Sequence, residues 1–179
     1  MFIYLRIVEK HMPTGLKPSS SPIAVSFSLA ESAANTFTED RIDLQLNPLD
    51  NEVFVVQGIN LDPTVPSAIA GTNTQIHVSL TSTSQSGVRN LSSPACLATS
   101  VMNIQADAAS LVPFSRTSVD TPAAGVEYIG ILATNDFFLQ IEGTNNAGAL
   151  FLSGRMWGYR ATASSSIYAA LVQSEVLSS

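Results

Sequence analysis

The stretch from Thr36 to Leu61 limits the fold more than any other part of the chain. Ile42, Leu44 and Leu46 alternate with Arg41, Asp43 and Gln45, the period-two pattern of a half-buried strand. Asn47-Pro48-Leu49-Asp50-Asn51-Glu52 then breaks the chain, because Pro fixes φ and lacks an N–H while Asn and Asp tolerate turn geometry. Val53 to Val56 is apolar without alternation, so the second arm needs cover on two faces. A strand, a corner and a doubly covered strand call for a layered β structure.

The rest of the chain repeats the theme. Ile23, Val25, Phe27 and Leu29 alternate with small residues, as do Ile76, Val78 and Leu80 with Gln75, His77 and Ser79. Val126–Leu132 is apolar on both faces, Phe137, Leu139 and Ile141 alternate again, and Asn145-Asn146-Ala147-Gly148 turns the chain into a strand over Leu150–Ala163. Residues 1–22 read as an N-terminal extension and linker, with Met1–Val8 strand or short helix and Pro13–Pro22 a linker. Asp62–Asn73 and Pro113–Gly125 read as long loops. Residues 95–109 and 167–176 fit helix or strand equally well. Helices being few, the expectation is all-β: one domain over residues 23–179 of about eight antiparallel strands, a sandwich or barrel by its strand spacing, with two packed sheets expected from the alternation. Its core should hold Ile42, Leu44, Leu46, Val53, Val55, Ile76, Val78, Leu139 and Ile141.

Charge sets this chain apart. Only 12% of residues are Asp, Glu, Lys or Arg, about half the usual share, and Ser and Thr take their place. A surface so poor in charge suits a protein covered by its neighbours. The net charge of −6 argues against binding nucleic acid through a basic face. No run of apolar residues is long enough for a membrane-spanning helix.

Little points to catalysis. His11 and His77 are the only histidines, His77 falls on the outward face of a strand, and no Gly-x-Ser-x-Gly elbow or phosphate-binding glycine pattern occurs. The pairs Glu39/Asp40, Asp50/Glu52 and Asp136/Glu142 sit at strand ends and turns, where acids cap or are solvated. Asp50 and Glu52 offer hard oxygens for calcium without the spacing of an EF-hand. Cys96 is alone, which leaves no internal disulfide and no cysteine-built metal site. No catalytic, cofactor or metal residue is assigned, and no enzymatic activity is expected. Arg155, Trp157, Tyr159 and Arg160 form a basic-aromatic cluster on one strand and are the interface candidates.

Laid out as Ile23–Leu29, Thr36–Leu61, Thr74–Thr81, Val126–Gly143 and Leu150–Val176, the chain resembles a single jelly-roll capsid protein of a tailless icosahedral virus. The resemblance lies in strand number, polar uncharged composition, long loops and extended termini. It implies a jelly-roll-like two-sheet sandwich acting as a non-enzymatic, self-assembling shell subunit located in the virion, in contact with copies of itself and with other shell proteins. Capsid proteins that package single-stranded RNA often carry a basic N-terminal arm. Here the first 22 residues hold only Arg6, Lys10 and Lys17, against Glu9, so no direct nucleic-acid binding is expected. The alternative is a β-sandwich recognition module for carbohydrate or another ligand, built on Trp157, Tyr159 and loop Asn and Asp residues.

Overall fold

Two long strands, β4 (Glu52–Pro63) and β10 (Phe151–Ala163), run antiparallel along the middle of one sheet. The computed structural model describes residues 14–107, 110–117 and 126–177. On the far side of β10 lie β1 (Leu16–Pro18) and β2 (Ile23–Ala30), end to end along the same edge. On the far side of β4 lies β8 (Gly130–Leu132). The second sheet runs in the order β3 (Thr38–Asp43), β9 (Asp136–Thr144), β5 (Thr74–Thr81), β6 (Cys96–Ala106), β7 (Leu111–Thr117). A helix, α1 (Ser165–Leu177), follows β10.

The antiparallel pairings are nested. β2 pairs β10, β3 pairs β9, β4 pairs β8 and β5 pairs β6. A chain folded back on itself in this way and rolled into two layers has the winding of a jelly roll. β1 and β7 are additions to its edges.

The alternation that defines these strands also fills the core. Phe54, Val56, Ile59 and Leu61 of β4 meet Ile76, Val78, Leu80, Leu139 and Ile141 of the opposite sheet. The inward residues of β4 shift phase between Val56 and Ile59 because Gln57 is an extra residue: Gly58 pairs with Trp157 and Val56 with Gly158. Phe54 and Phe137 are fully buried, and each such side chain contributes roughly 1.5–3 kcal/mol of transfer free energy. Phe54 needs Gly158 opposite it, since a Cβ there would fall against its ring and the Val55 carbonyl.

Several sequence expectations change. Leu16–Pro18, inside the expected linker, is a strand paired to Ala161–Ala163. Residues 95–109 resolve to a strand, Cys96–Ala106, within the described residues, and 167–176 to a helix. Pro113 does not open a loop but lies within β7, while residues 118–125 lie outside the described part, as do Met1–Val8 and His11. Of Val126–Leu132 only Gly130–Leu132 is strand, and Val126 is exposed. Ile42 is half-buried at the margin of the core rather than inside it. Val53 and Val55 are buried on the outer face of their sheet, not between the sheets.

Candidate functional site

The outward face of the first sheet is divided in two. Over one half lies α1: Ile167, Tyr168, Leu171 and Val172 pack on Val53, Val55, Ala133, Tyr159, Ala161 and Ala163. The second apolar face of Val53–Val56 is therefore covered from within the chain. Near the end of α1 the buried carboxylate of Glu175 accepts the N–H of Ala133 at 3.0 Å and of Thr134 at 2.8 Å. Burial pushes its pKa up, against these hydrogen bonds, and Asp136 adds to the rise.

The four clustered candidates separate accordingly. Tyr159 is 9% exposed beneath α1, and burial, with Glu127 and Tyr128 adding, pushes its phenol up. Arg160 points the other way. Its guanidinium donates to the carbonyls of Leu44 (2.9 Å) and Gln45 (3.1 Å) and meets Glu52 at 3.2 Å, tying the corner after β3 to β10. Arg155 and Trp157 stay open on the uncovered half. The Arg155 guanidinium carbon lies 6.0 Å from the Trp157 ring centroid, and its Nε donates to Ser26 Oγ at 3.2 Å. Asn60 and Asp62 of β4 lie opposite Arg155 and Ser153. Together with Gly154 and Trp157 these residues line a shallow depression of about 360 Å³.

The other candidates are occupied structurally. Pro48–Asp50 forms a 3-10 turn, capped by Asn47 and closed by Asn51 at φ 53°. Asp50 accepts from the Asn47 amide at 2.6 Å. Glu52 accepts from Asn47 N and Ser19 Oγ and pairs with Arg160. Their oxygens serve different partners, and among the described residues no three His, Cys, Asp or Glu side chains gather to hold a metal. His77 is half-buried, with Nε2 3.0 Å from Thr99 Oγ1. Burial and then Arg116 lower its pKa, which keeps it neutral near pH 7. Glu39 and Gln140 join a buried network with Ser79 and Thr81 that pins the segment carrying Ser84, Gln85 and Arg89.

Sequence reasoning missed β7. All seven of its side chains are exposed, Leu111, Val112 and Phe114 among them. Asp107 N donates to Ser110 O at the hairpin end. Alternate pairs from there carry the ladder, so Pro113, opposite Ile104, falls at a position facing the free edge. That edge lacks a donor at its centre, which is where proline is tolerated in a sheet. The signal lies in Leu111-Val112-Pro113-Phe114, an apolar run whose proline marks an edge strand as readily as a loop.

These features define a two-sheet antiparallel β-sandwich with jelly-roll winding and a helix over half of one outer face. Among solved structures the chain is similar to one of Desmodium yellow mottle tymovirus, over 87% of this chain and 95% of that one, at 11% identity and a TM-score of 0.28. It is also similar to a tailspike protein, gp49, from Acinetobacter baumannii bacteriophage Fri1, a capsular polysaccharide depolymerase. That alignment covers 70% of this chain at 13% identity and a TM-score of 0.19, and this chain spans 21% of the tailspike. TM-scores of this size do not establish a common fold. No protein-family model and no curated protein sequence matches the chain.

Proposed function

We propose that this chain is a non-enzymatic structural subunit that assembles with copies of itself, and with other shell proteins, into the capsid of a virus particle. β7 carries the reading. Val112 and Phe114, 47% and 51% exposed, share one face of this seven-residue strand, and Leu111, 42% exposed, lies on the other. Exposed apolar side chains on both faces of an edge strand suit a contact with another protein. Pro113 interrupts the outward edge, so a neighbour meets the faces of β7 and does not extend the sheet. The low charge of the chain fits a surface largely covered by neighbours. The winding supports the reading only in part, because jelly rolls serve capsids and lectins alike. Contacts in such a shell should bury more than about 1,000 Å² each.

Sedimentation velocity and electron microscopy of the full chain test this. Large closed particles are expected, and Val112→Ser with Phe114→Ser should yield small species that keep the β-rich circular dichroism of the parent. A parent that stays monomeric at high concentration across salt conditions overturns the proposal. So does a double variant that assembles like the parent.

A further inference from the structure

We propose that the open half of the outer face of the first sheet binds a neutral saccharide, with Trp157 as the stacking platform. Trp157 sits in the middle of β10, hydrogen-bonded between β2 and β4, yet is 39% exposed. A large aromatic on a central strand would ordinarily be covered, as Tyr159 two residues on is covered by α1. The β2 neighbours that share its face are small: Ala24, Ser26 and Ser28. The indole therefore stands clear of the strand beside it, on rigid backbone.

The polar groups around it have open valences. Asn60, Asp62 and Ser153 make no side-chain hydrogen bond or ion pair among the described residues, and Arg155 uses only its Nε. Elsewhere on the sandwich, polar side chains such as Gln140, Glu39 and Ser79 bond to one another. Here a carboxylate, an amide, a hydroxyl and a guanidinium fork converge on one depression of about 360 Å³, within the range of small-ligand sites. Vicinal hydroxyls both donate and accept, and a pyranose presents a face of C–H groups to an aromatic ring. This combination of an apolar plate with mixed donors and acceptors fits both. One cation and one anion leave the site without net charge, so neutral sugars suit it better than anionic ones.

The depression is shallow, so a single sugar should bind weakly. The proposal does not rest on the shell reading. On a particle, repeated copies would raise avidity by up to about 10²–10⁴ without any new contact.

Trp157 is the only tryptophan in the chain, so its emission reports this site alone. The full chain is titrated with neutral tetrasaccharides of glucose, galactose, mannose and N-acetylglucosamine, up to the tens of millimolar a shallow site requires. Emission is followed, together with saturation-transfer NMR on the sugar. At least one should give a saturable change. Trp157→Ala should abolish sugar saturation transfer, and Trp157→Phe should retain it in weakened form. Asp62→Ala should weaken binding about tenfold or more, as loss of a charge-assisted hydrogen bond implies. The idea fails if no sugar in the panel binds, or if binding survives Trp157→Ala. It fails also if Trp157→Ala disrupts particle size while leaving saccharide binding intact. Light scattering on the same samples separates the readings: a monomer that binds sugar sustains this site and overturns the shell, and particles that bind none do the reverse.

Discussion

Oε1 of Glu31 accepts the N–H of Gly143 at 2.6 Å, joining the end of β2 in one sheet to β9 in the other. Oε2 takes the N–H of Leu150 at 2.8 Å, and Thr36 N reaches Oε1 at 3.2 Å. One buried carboxylate thus satisfies three backbone donors that no strand pairs. A Cβ on Gly143 would stand 2.9 Å from Glu31 Oε1 and 2.8 Å from Asn146 Nδ2. Glu31→Ala leaves these donors unsatisfied and should cost at least about 2 kcal/mol. Urea unfolding measures it, and a change within about 0.5 kcal/mol, the scatter of neutral surface substitutions, would contradict the assignment.

Docking of α1 should be firmer in acid. The folded pKa of Glu175 is raised, chiefly by burial. Its contribution is therefore complete below the unfolded carboxyl range and is lost as pH rises through the folded value. The advantage of the parent over Glu175→Gln, read from urea midpoints, should be largest near about pH 4 and shrink toward neutrality. An advantage that grows with pH would refute this.

His77 should titrate below the ordinary histidine range, because burial and then Arg116 disfavour its charged form. The sign is opposite to that of Glu175: stability from the neutral ring is present above the unfolded pKa and falls away as pH drops. Arg116→Ala should raise the NMR midpoint without restoring it fully, since burial is the larger cause. A midpoint unmoved by that substitution would show that Arg116 does not act on the ring.

Cys96 should be inert to thiol reagents in the folded protein. Burial pushes its pKa up to about 11, and its Sγ faces the carbonyls of Ala98 and Arg89 at 3.4 and 3.8 Å. The thiolate is the reactive form, so labelling by a disulfide reagent at pH 8 should track unfolding. Fast labelling under native conditions would contradict this.

The strands legible in the sequence were those with one buried face: Phe27 and Leu29, Ile76 through Leu80, Leu139 and Ile141 all point inward as their alternation implies. What the sequence did not resolve depended on a third layer. Ile167, Tyr168, Leu171 and Val172 suit a strand or a helix until Val53, Val55 and Tyr159 offer a surface to cover. The same helix decided the candidate cluster. Arg155, Trp157 and Tyr159 share a face of β10, and only the reach of α1 hides one and leaves two open. Arg160 was legible as polar and positive, but its partners, Leu44 and Gln45, come from a distant corner.

The nested pairing also governs the order of events during synthesis. β5 and β6 can meet early, since Thr81 and Cys96 are close in sequence. β2 cannot, because its ladder partner is the last of the described strands: Ile23 meets Gly158 and Ala30 meets Phe151. Contacts this remote slow folding, and until β10 leaves the ribosome one edge of β4 has no neighbour. Until then the nascent chain carries Val53–Val56 without that cover, and a cell making it in quantity would face a race between the arrival of β10 with α1 and aggregation through β4.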